Sequence, residues 1–165
     1  MENLTHLNCS ECLKLKVIPP MKNLKWLSCG ECLFLTEIPI LENLLYLNYY
    51  NCPFLITIPL LENLQELYCS SCPLLKSIPR MENLETLDCS ECRSLLEISL
   101  SEKTNVVNFM DCTWLTSATG EYVDINVYGC PCLEGPVHVP PLDTVEELDC
   151  SECYTLTELP VLPFG

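Results

Sequence analysis

Apolar residues return along this chain at a fixed step. Leu4, Leu7, Cys9, Cys12, Leu15, Ile18 and Pro19 are followed by Leu24, Leu27, Cys29, Cys32, Leu35, Ile38 and Pro39. The phrase begins again at Leu44, Leu64 and Leu84, twenty residues apart each time. Inside one copy, Leu67 and Cys69 alternate with Glu66, Tyr68 and Ser70. A period of two predicts a half-buried strand with Leu67 and Cys69 turned inward. The second half, Pro73 to Pro79, has to bring the chain back to the next strand. About ten residues remain for that return, barely two turns of helix at about 3.6 residues each. Pro19, Pro39, Pro59 and Pro79 fix φ and bias the isoleucine before each of them away from the α region. The return is therefore expected to be extended or polyproline-like, with little or no helix. A repeat of this length marks a stacked solenoid, here mostly β, with about eight parallel strands over a continuous core.

The second cysteine registers eight copies: Cys12, Cys32, Cys52, Cys72, Cys92, Cys112, Cys130 and Cys153. Residues 1–100 hold the regular copies, 101–141 irregular ones, and 142–165 the last copy and a tail, all read as one domain spanning 1–165. The sixth copy keeps Val107, Phe109, Cys112 and Leu115 but reads Ala118-Thr119-Gly120 where Ile-Pro stood. The seventh fits as Tyr122, Ile125, Val127 and Cys130, which shortens the step to eighteen. The stretch from Leu115 to Pro141 is either drift within the solenoid or a modified loop that binds something. The first copy begins without a polar cap and the last ends in the short tail Leu159 to Gly165. Uncapped terminal repeats expose a core layer, so self-association through the ends, or membership of a larger protein, is also expected.

Leu-x-x-Leu-x-Cys-x-x-Cys-x-x-Leu resembles the conserved segment of leucine-rich repeat proteins, Leu-x-x-Leu-x-Leu-x-x-Asn/Cys-x-Leu. The short copy with its Ile-Pro return is most similar to the bacterial-effector type. The Cys-Ser-x-Cys spelling is similar to repeat proteins of giant DNA viruses of amoebae and of amoeba-associated bacteria. The resemblance covers nearly the entire chain. It implies an α/β-class leucine-rich repeat solenoid with its strands on a concave face. Its bearing on function is weaker, because such scaffolds serve unrelated binding tasks.

Cys-x-x-Cys occurs at 9/12, 29/32, 69/72, 89/92 and 150/153, and isolated pairs of this kind would suggest zinc. The period places all of them at equivalent positions, so either every neighbouring pair needs a metal or none does. Tyr49, Phe109 and Val127 stand where a first cysteine would, and they fill a core but cannot ligate zinc. His6 and His138, the two histidines, lie far apart. The second cysteine recurs in all eight copies; the resemblance implies a ladder there, in which an inward side chain hydrogen-bonds backbone groups of the turn. A thiol is small and a weak donor, and can serve. Disulfides between neighbouring strands are geometrically conceivable but strained in series. No metal and no cofactor is expected. Free thiols persist in a reducing compartment, so the expected location is intracellular and cytoplasmic, in the host cytoplasm or a virion if the viral likeness holds.

Net charge is −15, which disfavours nucleic acid and anionic membrane, both of which need clustered Lys and Arg. Lys14, Lys16, Lys22 and Lys25 sit early, and no Lys or Arg follows Lys103. The acidic end is either a solvated surface or a meeting place for a basic partner. The opening residues are neither basic nor apolar enough for a signal peptide. No phosphate loop, Gly-x-Ser-x-Gly or His-Glu-x-x-His occurs. Cys132, with His138 nearby in sequence, is the one nucleophile to weigh, and the chain is not expected to be an enzyme.

The outward strand positions then become the candidate partner-binding surface: Trp26, Tyr46, Asn48, Tyr50, Glu66, Tyr68, Asp88, Asn108, Asp124, Tyr128, Glu147 and Asp149. Aromatics dominate its first half and carboxylates its second. The aromatics are either binding anchors or a cross-strand stack that stabilises the sheet. The expected function is non-catalytic recognition of a protein partner on this face. The alternatives are an assembly component joined through its ends and the recognition part of a larger, ubiquitin-ligase-like effector.

Overall fold

A computed structural model describes residues 3–120, 124–133, 148–149 and 151–154. Ten short strands form: β1 His6–Asn8, β2 Trp26–Ser28, β3 Tyr46–Asn48, β4 Glu66–Tyr68, β5 Thr86–Asp88, β6 Glu97–Ser99, β7 Val106–Asn108, β8 Ser117–Thr119, β9 Asp124–Asn126 and β10 Leu148–Asp149. Eight of them make one sheet in the order β1-β2-β3-β4-β5-β7-β9-β10, every pair parallel. Trp26 stands opposite Tyr46, and Tyr68 opposite Asp88. The molecule is a parallel β-solenoid, and no helix occurs among the described residues.

The alternation works as expected. In β4, Leu67 is fully buried between half-buried Glu66 and Tyr68. Leu24, Leu44, Leu64 and Leu84, the strand leucines and the return isoleucines stack into a single core. At the open edge beside β1, Leu4, Leu7, Cys9 and Leu15 are only partly buried.

The return side is extended and free of helix among the described residues, as expected, and in one place it forms a sheet of its own. β6 and β8 pair as a second, two-stranded sheet, with Ile98 opposite Ala118 and the Leu100 N–H on the Thr119 carbonyl at 2.8 Å. The cause is one residue. Pro39, Pro59 and Pro79 follow the return isoleucine in regular turns and have no N–H to give, whereas Ser99 follows Ile98 and Thr119 follows Ala118 here. In the regular turns the pairing shrinks to a single bridge between Thr57 and Ser77.

Two further ladders fix the stack. Asn43, Asn63 and Asn83 donate their side-chain amides to the carbonyls of Lys22, Glu42 and Glu62, at 2.8, 2.8 and 2.9 Å. In the sixth turn Thr104 replaces the repeating leucine yet is fully buried, because its hydroxyl donates to the Leu84 carbonyl at 2.8 Å. Buried Ser101 lies 3.3 Å from the same hydroxyl, so two polar residues enter the core with their partners.

Candidate functional site

Each strand ends in a tight turn whose geometry determines what the sheet face can display. Glu11, Glu31, Asn51, Ser71, Glu91, Asp111 and Glu152, one residue before each second cysteine, have φ between 52° and 62°. Gly129 occupies the same place in the seventh turn with φ 68°. This left-handed region is costly for residues with a β-carbon, and the inter-turn ladder holds them in it. The N–H of Glu31 donates to Tyr50 O at 2.9 Å and that of Glu91 to Met110 O at 2.7 Å.

Behind the turn lie the thiols. Cys32, Cys52, Cys72, Cys92, Cys112, Cys130 and Cys153 each donate the S–H to a backbone carbonyl of the preceding turn, at 3.1–3.4 Å. The acceptors are Cys9, Cys29, Tyr49, Cys69, Cys89, Phe109 and Val127, the first-cysteine position each time. Cys12, with no earlier turn in this chain, is exposed. The thirteen described cysteines are free thiols. Burial pushes the Cys52 and Cys130 thiols up to about 12 and those of Cys69 and Cys89 well above their ordinary range, so these sulfurs are protonated and poor nucleophiles. Among the described residues no group of three or more His, Cys, Asp or Glu could hold a metal ion. Cys132 is half-buried; His138, Glu134 and the rest of the stretch to Pro141 lie outside the described residues.

On the outer face the aromatics come together. Trp26 and Tyr46 stack with centroids 5.1 Å apart and planes 12° from parallel. His6 extends the stack at one end, 6.4 Å from Trp26, and Tyr68 at the other, 5.4 Å from Tyr46 and tilted by 39°. The spacing is close to the roughly 4.8 Å between strands, so the rings spend their faces on one another along the sheet and turn their edges outward. Tyr68 leans back across its own strand, and its hydroxyl donates to Glu66 Oε2 at 3.0 Å. Burial, then this bond to a carboxylate, raises its phenol to about 12.

Tyr50 is not part of that stack. Its ring covers Gly30, where an added β-carbon would come within 2.5 Å of Tyr50 Cε1. Its hydroxyl donates to Glu31. Tyr128 does the same to Glu152 Oε1 at 3.2 Å.

Asn48, Asp88 and Asn108 have a structural task. Their side-chain oxygens accept the N–H two residues on, from Tyr50, Ser90 and Met110 at 3.0–3.1 Å, as do those of Asn8 and Asn126. These are Asx caps on the turn. Asp124 is exposed on β9. Glu147 and the side chain of Asp149 lie outside the described residues.

A second surface was not anticipated. Phe34 and Phe54, about half exposed, stack at 6.3 Å beside the turn, with exposed Leu74 next in sequence register. Each lies two residues after a second cysteine, so the period itself holds the signal. The asparagine ladder likewise recurs in sequence at Asn3, Asn23, Asn43, Asn63 and Asn83. On that flank Ile40, Glu42, Asn43, Leu60, Glu62 and Asn63 line a recess of about 550 Å³.

These features define a parallel repeat protein whose interior is made of equivalent rungs. The family model described as Leucine Rich Repeat matches residues 63–81, the turn that contains β4 and its return through Ile78-Pro79. That register continues through the turns on either side, so the match and the solenoid together support a leucine-rich repeat protein. No curated protein and no solved structure matches it significantly. Leucine-rich repeat solenoids commonly serve as protein-interaction modules. No helix among the described residues is long and apolar enough to cross a membrane.

Proposed function

We propose that this chain is a non-catalytic interaction module that takes a protein partner on the outer face of its eight-stranded sheet, in a reducing compartment. One observation supports this above the rest. The inward residues repeat from turn to turn, whereas the outward ones change from His6 and Trp26 through Tyr46 and Glu66 to Thr86, Val106 and Asp124. Stacking needs uniform rungs; a recognition surface needs variety. Nucleic acid and anionic membrane are disfavoured as partners because β1 to β9 present no Lys or Arg on this face. The test is capture of a partner by the intact chain and by a Trp26→Ala/Tyr46→Ala variant, with Phe34→Ala/Phe54→Ala as the flank control. Loss of at least about tenfold in affinity is expected from the first pair, as for anchors worth 1.4 kcal/mol or more. Loss confined to the flank variant would overturn the assignment of the face.

A second reading is end-to-end assembly, favoured by the half-buried Leu4, Leu7, Cys9 and Leu15 beside the unpaired edge of β1. A monomer whose sedimentation is independent of concentration would remove it.

A further inference from the structure

The aromatic stack stops at Tyr68. One ring face meets Tyr46. On the other side the register places Asp88 directly opposite Tyr68 and Thr86 opposite Glu66, and no further ring contact is found there among the described residues. The Tyr68 hydroxyl is held by Glu66, which ties the ring's tilt to a carboxylate on the same strand. Asp88 commits Oδ1 to the Ser90 N–H and hydroxyl, at 3.0 and 2.8 Å. Asp88 therefore stays in place beside the ring with its second oxygen uncommitted to the cap. Directly beyond it stands Asn108, with exposed Val106 and half-buried Met110 diagonal to Asp88 on either side.

We infer that the β5 side of Tyr68, between Glu66 and Asp88, is a slot for an arginine side chain of a basic partner segment. This rests on the reading of the sheet face as the binding surface and names the partner's chemistry there. A guanidinium is planar and weakly hydrated, stacks on an aromatic face, and donates to carboxylates from its edge. The slot offers each of these: a ring face with no second aromatic against it, two carboxylates flanking it, and apolar side chains diagonal to Asp88 for the side chain's stem. The charge is one-sided. From β1 to β9 the outward strand positions include Glu66, Asp88 and Asp124 and no Lys or Arg, so no cation from the strands of this face competes for the carboxylates. The stacked rings upstream cannot substitute, because their faces already meet one another.

The experiment titrates the full chain with a short Gly-Ser peptide bearing arginines and with its twin bearing citrulline, which keeps shape and loses charge. The arginine peptide is expected to bind about tenfold or more tighter than its twin. Tyr68→Leu should weaken it by about five- to tenfold with no change in net charge, while Tyr68→Phe, which keeps the ring, should stay within about twofold of the parent. Asp88→Asn is a clean removal of charge, because asparagine makes the same cap at positions 48, 108 and 126. Together with Glu66→Gln it should remove most of the preference for arginine over citrulline. Equal binding of the two peptides, or an unchanged affinity in both Tyr68→Leu and the Asp88→Asn/Glu66→Gln double variant, would overturn the slot. If Tyr68→Leu does not fold, the double variant alone decides. Arginine binding weakened by Trp26→Ala/Tyr46→Ala but not at Tyr68 would overturn the slot and leave the sheet-face reading standing. Binding insensitive to every face variant would overturn both.

Discussion

Cys89 and Cys92 stand three residues apart in one turn, both fully buried, and use different atoms. Cys89 is needed for its carbonyl. That oxygen accepts the Cys92 N–H at 3.3 Å and the Cys112 S–H at 3.1 Å, which occupies both of its lone pairs. The side chain only has to fill space, and Tyr49, Phe109 and Val127 do so at equivalent positions with no exposure. Cys92 is needed for its side chain. Its S–H donates to the Cys69 carbonyl one turn back, and a hydrocarbon cannot replace that donor. The lesson is that one motif holds two unrelated constraints, volume in the first column and hydrogen bonding in the second.

The strongest way to break this distinction is to ionise both columns. Burial pushes the Cys52 and Cys130 thiols up from 9.0 to about 12, and raises those of Cys29, Cys69, Cys72 and Cys89 as well. The folded chain therefore keeps protons that the unfolded chain gives up above pH 9. The stability this represents is fully present below the unfolded value and is lost as pH rises towards the folded ones. Each such thiol removes on the order of 1.4 kcal/mol per pH unit in that window. A handful of them together would exhaust a domain stability of about 5–15 kcal/mol within one to two units. Cooperative loss of circular dichroism between about pH 9 and 11, with thiols becoming reactive in the same step, is the expected result. A flat profile to pH 11 would show that the sulfurs are not held protonated by burial.

The comparison also shows what could be read from sequence. The period and the alternation about Leu67 were enough for strand, register and core, because hydrophobic burial leaves its mark directly on residue order. That the first column is filler was visible in the Tyr49 and Phe109 replacements. The turn was not visible. Glutamate is an unusual residue for positive φ, so nothing in the order of residues around Glu11, Glu31, Glu91 and Glu152 marks the turn. Only the three-dimensional ladder shows why they are held there. Asn48, Asp88 and Asn108 read as display residues for the same reason: an Asx cap is a local hydrogen bond, and alternation says only that such a side chain points outward. The departure at 117–119 was legible as a lost Ile-Pro, whereas Ile98-Ser99 fell within copies read as regular; the consequence, a second sheet, follows from backbone donors that proline lacks.

A sharper test places the same substitution in both columns of one turn. Cys89→Val should cost less than about 1 kcal/mol, since the site already accepts valine at position 127 and its carbonyl bonds are untouched. Cys92→Val removes a buried donor and leaves the Cys69 carbonyl short of a partner, at a cost of about 1–3 kcal/mol. Urea unfolding of the two variants measures the difference directly. Equal midpoints would mean that the S–H bond contributes nothing and that the second column is filler too.

The smallest effect concerns the one residue that fits its column imperfectly. Tyr49 is fully buried, and its hydroxyl is the buried side-chain oxygen or nitrogen, among the described residues, that has no hydrogen-bond partner. Its polar neighbour is the Cys69 thiol, a weak acceptor. If the column asks only for volume, the hydroxyl is a liability: burying it without a partner costs about 1–3 kcal/mol. Tyr49→Phe keeps the ring and leaves the Tyr49 carbonyl free to accept the Cys72 S–H as before. Its removal of the oxygen leaves a small void that offsets part of the gain, so a net stabilisation of about 0.5–1 kcal/mol is expected. Thermal unfolding below pH 8 reads this without interference from thiol ionisation. A destabilised Tyr49→Phe would mean that the hydroxyl is bound after all, and that this position, alone in its column, is specified by an atom rather than by a volume.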